Sequence, residues 1–272
     1  MRRNRANGMV IVDEMSVSDY HSYLALDELL ALQQPRSDEH DELLFVVAHQ
    51  VHELWFKLLR HELDHLQKQF VEGAATGAIH TLRRAVGILR ALTAPTEVFE
   101  TLTPRQFNSF RHKLGGSGAQ SAQFRQIEAV LGRRDPRMFE TFQLGGQERT
   151  QIEADLRRPT VYDALLRFLG TQGYEVPRHL LERDVTRPLE PSPELQEVLL
   201  QVYLDDTLAA QVCDRLIEID QGVQEWRYRH VALAARIIGD KPGTGGTSGA
   251  PYLRTTLFHQ LYPDLWAVRS RL

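Results

Sequence analysis

The sequence predicts an all-α fold, a helical bundle, on three observations. Nearly every long segment repeats its apolar residues at about 3.6 positions, the period of one helix face. Alternating, β-branched runs of the kind that form strands are hard to find. Helix punctuation falls where that rhythm starts and stops. Taken in order, the expected helices cover 18–33, 38–72, 79–92, 104–131, 145–156, 161–171, 193–205 and 208–238. Ser37 or Asp38 can cap the second, Thr103 before Pro104 opens the fourth, and Gly239 closes the last. The stretch 183–193 holds three prolines among charges and reads as a surface connection. With 272 residues the chain is long enough for one large domain, expected over 18–272, after a flexible extension at 1–17.

Composition removes several classes of function. Lys and Arg number 32 against 36 Asp and Glu, a net charge of −4, so no bulk positive field draws the chain to nucleic acid or to an anionic membrane. The basic start MRRNRANG is followed by only MVIV before Asp13 and Glu14, far short of a signal-peptide core. No apolar run approaches the roughly 18 residues of a membrane span. A single cysteine, Cys213, excludes an intrachain disulfide framework and a cysteine-clustered metal site, and points to the cytoplasm. The 11 histidines are the residues left to sort.

His61-Glu62-Leu63-Asp64-His65 fits the H-E-x-x-H pattern of zinc hydrolases. Its neighbours are charged and no third ligand follows at the expected spacing, so a solvated helix face is the better reading. Upstream, Leu44, Val47, Val51, Leu54, Trp55 and Leu58 form one apolar stripe, and Phe45, His49, His52 and Phe56 form a second. A helix apolar on two sides is expected between layers. Its second face sets imidazoles between phenylalanines, a surface suited to an aromatic ligand with one polar edge atom.

Leu216, Ile219, Val223, Trp226, His230, Leu233 and Ile237 fall at alternating intervals of three and four, which puts His230 within an apolar seam. A metal or haem iron would satisfy such an imidazole, and so would an internal hydrogen bond. Arg227 and Arg229 flank it and can reach haem propionates or sit on an exposed edge. Between Phe107 and Arg125, guanidinium, amide and hydroxyl groups alternate with aromatics, a composition suited to gripping a carboxylate. The loop Gly243-Thr-Gly-Gly-Thr-Ser-Gly249 lacks the lysine of a P-loop and follows a helix, yet its N–H groups and hydroxyls can hold a small anion or an amino acid.

Together these segments resemble one family. His49-Gln-Val-His-Glu-Leu-Trp-Phe-Lys57, the run from Phe110-Arg111 to Arg125, and Trp226-Arg-x-Arg-His230 with the 243–249 loop and Tyr252-Leu253 are similar to the signature segments of bacterial-type tryptophan 2,3-dioxygenases. Tyr20-His-Ser-Tyr23-Leu24 and Gln33-Gln-Pro35 match as well, in the same order along the chain. The resemblance implies an all-helical haem b enzyme that inserts both atoms of O₂ across the indole C2–C3 bond of L-tryptophan, giving N-formylkynurenine. On matching positions, His230 is the axial ligand of the haem iron and His49 the catalytic group that holds the indole N–H. Phe45 and Phe107 line the indole pocket, Arg111 pairs with the substrate carboxylate, and Ser117 and Thr244 serve its amino-acid end. The resemblance also implies a homotetramer in which Tyr20, Tyr23 and Leu24 enter a neighbouring subunit's site. Two departures stand out. The 115–119 segment is one residue shorter than usual and carries Ala119 in place of an aromatic, and His52 stands where another residue type is usual. The short segment supports the alternative of a relative that mono-oxygenates tryptophan or a modified tryptophan.

Overall fold

The computed structural model of the protein describes residues 20–116, 120–135 and 146–272. The 1–17 extension and Ser117 lie outside the described residues. Every regular element among the described residues is helical: α1 (Tyr20–Tyr23), α2 (Leu26–Leu30), α3 (Glu42–Val71), α4 (Ala75–Ala91), α5 (Ala94–Phe99), α6 (Pro104–Phe110), α7 (Ala122–Leu131), α8 (Gly146–Leu156), α9 (Val161–Thr171), α10 (Arg178–Leu181), α11 (Pro193–Leu204), α12 (Leu208–Ile238), α13 (Ala250–Arg254) and α14 (Pro263–Ala267). None of them is long and apolar enough to cross a membrane.

Two long helices set the frame. At about 1.5 Å per residue, α3 with 30 residues and α12 with 31 each run roughly 45 Å. Both pack against α4, which wedges between them. Its apolar face of Leu82, Ala85, Val86 and Leu89 sinks into the main core with Leu59, Leu63 and Leu66 of α3 and Leu216, Ile219 and Val223 of α12. Gly222 makes the α4 crossing close, since a β-carbon there would lie 3.0 Å from Leu89 Cδ1. Held apart by α4 at one level, α3 and α12 leave a gap at another. A second, smaller core of Ala48, Phe99, Leu102, Phe107, Phe110 and Ile237 borders that gap.

Buried carboxylates tie the periphery to this frame. Asp220 of α12 accepts from the backbone N–H of Leu261 (2.9 Å) and from Trp266 Nε1 (2.8 Å), which fixes the C-terminal segment. Arg60 of α3 forks onto Asp155 of α8 at 2.6 and 2.7 Å.

Thr103 opens α6 with a capping box to Gln106, and Gly239 ends α12 at φ 59°, as their residue types predict. Four expectations need correction. The helix expected over 104–131 is two, α6 and α7, because the chain turns through a 3-10 segment at 111–113 and Gly115-Gly116 before Ser121 caps α7. The helix expected over 18–33 breaks at Ala25, which takes φ 48°, and ends at Leu30. Neither Ser37 nor Asp38 caps α3, which begins at Glu42; its buried carboxylate instead accepts from the backbone N–H groups of Arg36 (2.9 Å) and Ser37 (2.8 Å). Finally, the first stripe of α3 is buried only in part within this chain: Leu44 and Trp55 pack against the two cores, whereas Val47 is 41% and Leu54 50% exposed.

Candidate active site

The gap between α3 and α12 is a cavity with about 1130 Å³ of empty space, counted together with its solvent-open mouth. Phe45, His49, His52 and Phe56 reach it from α3, so the whole second stripe of that helix faces the space. From α12 come Trp226, His230, Leu233 and Ile237, the seam read from the sequence. Phe107 of α6, Arg111, Thr244, Gly243 and Gly249 line its remaining side. Six expected site residues, Phe45, His49, Phe107, Arg111, Thr244 and His230, thus share one cavity. Tyr20, Tyr23 and Leu24 do not line it in their own chain, where the two tyrosines are 69% and 78% exposed.

The aromatic end of the cavity is tightly built. Phe45 lies 4.1 Å from His49 by ring centroids and 5.9 Å from both Phe107 and Phe110. Phe99 presents its ring at 85° to His49, 5.2 Å away. His49 Nδ1 donates to the Phe45 carbonyl one helical turn earlier at 2.8 Å, so in the neutral ring Nε2 carries the acceptor lone pair. Burial lowers the pKa of His49, with His52 adding to the effect, although the carbonyl partner acts in the other direction. The ring is therefore neutral near pH 7, and Nε2 can accept from a donor such as an N–H.

His230 is different. Its pKa is pushed down to about 4, by burial first and then by His49, His52 and Arg125, so it too is neutral. It stacks on Trp226 at 5.3 Å and 26°, and Trp226 in turn packs on Phe124 at 4.4 Å. No hydrogen bond to a described residue engages its ring nitrogens, whereas His52, like His49, donates Nδ1 to a carbonyl, that of Ala48 at 2.7 Å. A neutral imidazole with a free lone pair beside an apolar space can serve as a single protein ligand to a metal.

The mouth is polar and cross-linked. The Arg111 guanidinium lies over the Phe107 ring at 5.8 Å and donates to the Pro242 carbonyl. Thr244 Oγ1 donates to the Gly116 carbonyl at 2.6 Å. The loop carrying Thr244 closes on itself through Gly243 N–H to the Thr247 carbonyl at 2.9 Å. Gly249 permits this path: its φ is 75° and a β-carbon would lie 2.6 Å from the Lys241 carbonyl oxygen.

The flanking arginines do not face the cavity as free cations. Arg227 is buried against Glu128, and Arg229 pairs with Glu225 at 3.2 Å and Glu97 at 3.7 Å on the surface. His61 and His65 are exposed, Glu62 between them is buried and bonded to Arg84 at 3.1 Å, and no cluster of metal-ligating side chains is present among the described residues. Sequence reasoning missed Thr96, Phe99 and Leu102, which line the cavity from α5 and the turn after it, and the acidic Glu53 beside His52. It also missed the buried Glu128.

This arrangement, a helical cavity with one unengaged imidazole, one imidazole acceptor and a cation at the mouth, is that of an enzyme for an aromatic ligand with a carboxylate. The sequence profile of the family described as tryptophan 2,3-dioxygenase matches residues 5–272, and the chain belongs to that family. Among relatives, a tryptophan 2,3-dioxygenase of Anaeromyxobacter sp. (strain K) is 54% identical over 254 residues, 93% of this chain and 96% of the relative. Relatives of the same name from Herpetosiphon aurantiacus and Myxococcus xanthus are 48% and 39% identical, covering 93% and 97% of this chain and 98% and 92% of their own.

Proposed function

We propose that this protein is an oxidoreductase of tryptophan catabolism that inserts both atoms of O₂ across the indole C2–C3 bond of L-tryptophan to give N-formylkynurenine, using haem b. The observation that carries the reading is the convergence on one cavity of His49 Nε2, the Arg111 guanidinium and the unengaged ring of His230. A haem fits the chemistry of this space: the walls are mainly apolar, and His230 offers one neutral nitrogen. His230 would hold the iron, which when bound supplies the oxygen-activating redox chemistry.

The remaining work falls to the chain's own side chains. His49 Nε2 accepts from the indole N–H and so fixes the ring's orientation while staying uncharged. Phe45 and Phe107 confine the indole and exclude water. Arg111 takes the carboxylate through a two-point fork. Thr244 hydroxyl, now on the Gly116 carbonyl, can turn to the carboxylate, and by resemblance Ser117 serves the ammonium. Exchanging two loop carbonyls for substrate oxygens couples binding to the position of the 241–249 loop.

We further propose a homotetramer in which Tyr20, Tyr23 and Leu24 complete a neighbour's pocket, each subunit being one helical domain over 18–272. The exposed apolar stripe of α3 and the exposed tyrosines support a second copy packing there. The absence of a membrane-crossing helix among the described residues and the single, buried Cys213 agree with a cytoplasmic setting.

The test is incubation of the purified protein with L-tryptophan, reductant and ¹⁸O₂, followed by mass detection. N-formylkynurenine carrying both labels is expected. A singly labelled oxindole or hydroxylated product would move the assignment to a mono-oxygenase. His230→Ala should lose stoichiometric haem and its Soret band; full haem uptake would remove His230 from the iron.

A further inference from the structure

Beside the cavity, with Trp226 and His230 lining both spaces, lies a smaller crevice where Glu128 of α7 is surrounded by guanidinium groups. Arg125 Nη1 donates to Glu128 Oε2 at 2.6 Å, Arg133 Nη1 to Oε1 at 2.7 Å, and Arg227 Nη2 also to Oε1. Glu128, Arg125 and Arg227 are 1%, 5% and 4% exposed. A desolvated ion cluster is weak evidence for stability, since apolar residues of the same volume often serve as well. Its position is informative instead. Arg227 precedes His230 by three residues, one turn of α12, and follows Trp226, the ring on which His230 stacks.

Glu128 joins this turn of α12 to a helix held independently. Gln123 of α7 donates to the Glu53 carbonyl (3.0 Å) and carboxylate (2.8 Å) on α3, and Phe124 packs on Trp226. The carboxylate is shared by arginines from α7, the turn after it and α12. The Arg227–Glu128 contact resists rotation of α12 about its axis. His230 itself has no hydrogen bond to a described residue that could orient its ring. The functions usually supplied by a direct partner, choosing the plane and aim of a ligating imidazole, are left to the rigidity of the turn that carries it.

We propose that Glu128 is a positioning residue for His230, acting through Arg227 and Trp226. The inference rests on the reading of His230 as the haem ligand, and it adds a residue that touches neither substrate nor haem to the determinants of iron coordination.

The test uses the haem-loaded protein and reads the iron–histidine stretching band by resonance Raman and the rate of haem loss to an acceptor globin. Both are measured well below the thermal midpoint. Glu128→Gln should shift or broaden the band and accelerate haem loss roughly tenfold or more, the usual scale for losing a group that orients a metal ligand. Arg133→Gln removes an ion pair to the same carboxylate but leaves Arg227 in place, and should change neither. If Glu128→Gln does not fold, the paired variant Glu128→Met with Arg227→Met removes both charges while keeping chain length, and is expected to show the same spectral change. An unchanged band in either folded variant, or equal effects of Glu128→Gln and Arg133→Gln, would overturn the inference. A parent protein that takes up no haem would overturn the reading beneath it and the inference with it, and is recognised before any variant is made.

Discussion

Replacing Arg111 by Ala tests how the cavity distinguishes an amino acid from a plain indole. The guanidinium sits half-buried at the mouth, held over the Phe107 ring and by the Pro242 carbonyl. It is therefore aimed before substrate arrives, so little side-chain entropy is lost when a carboxylate displaces the carbonyl. Truncating one partner of a buried charge pair costs about 2–5 kcal/mol, and partial solvent access at the mouth favours the lower end, about 2 kcal/mol or roughly 30-fold. Arg111→Ala should lower kcat/KM for L-tryptophan by that factor and act mainly on KM. Tryptamine, which lacks the carboxylate, supplies the second half of the cycle: the parent should use it poorly, and Arg111→Ala should use the two substrates more nearly alike. Arg111→Lys keeps the charge without the fork and should fall between. The assay is initial-rate formation of the ring-opened product at fixed haem content. A variant that still prefers tryptophan over tryptamine as strongly as the parent would refute carboxylate pairing by Arg111.

Three other outcomes are expected. His61→Ala and His65→Ala should leave activity nearly intact, since both rings are exposed; loss of activity together with bound zinc in the parent would revive the hydrolase reading. An inactive Tyr20/Tyr23 double alanine variant, mixed with inactive His230→Ala under subunit exchange, should recover part of the activity, and mixed oligomers without recovery would place the tyrosines in their own chain's site. In Glu128, burial would raise the pKa, but Arg125, Arg227 and Arg133 outweigh it and lower it from the ordinary 4.5 to about 2. The carboxylate thus stabilises the fold fully above pH 4.5 and progressively less as pH falls toward 2, about 3 kcal/mol in all at 1.36 kcal/mol per unit. Chemical denaturation from pH 6 down to pH 2 should show that loss in the parent and not in Glu128→Gln; parallel curves would contradict it.

The long helices were legible because their apolar period runs unbroken for many turns, and α12 spans the predicted 208–238. The false continuity at 104–131 has a physical cause. Phe107, Phe110 and Leu114 before the break and Phe124, Ile127 and Leu131 after it each keep helical spacing, so periodicity alone carries across the interruption. Gly115-Gly116, just beyond the 3-10 segment that ends the first helix, was the available signal. α5 escaped for the opposite reason: six residues with Pro95 in the first turn give no period to detect, yet Thr96 and Phe99 enter the cavity from it. The exposed stripe of α3 marks a different limit, because an apolar face has the same sequence pattern whether its own chain or a second copy covers it.

Within the site, residue types were readable but their chemical states were not. His49, His52 and His230 all occupy apolar helical positions, and nothing in that pattern separates a hydrogen-bond acceptor from a metal ligand. The separation comes from what each Nδ1 does. The carbonyls of Phe45 and Ala48, one turn earlier on α3, engage His49 and His52 and leave Nε2 as their acceptor, whereas the corresponding position before His230 is Trp226, whose ring stacks on the imidazole. Stacking restrains the ring while leaving both nitrogens available. Arg227 was ambiguous for a similar reason, since its counter-ion Glu128 lies 99 residues away and only the folded chain brings them together. Two contacts of one helical turn therefore divide the task, with Trp226 keeping the His230 nitrogens free and Glu128 holding the turn that aims them. A substitution at Trp226 that preserves bulk but removes the flat ring, such as Trp226→Leu, should release His230 to the carbonyl one turn earlier and weaken haem binding even with Glu128 intact. Haem affinity equal to the parent's in that variant would show that stacking is dispensable.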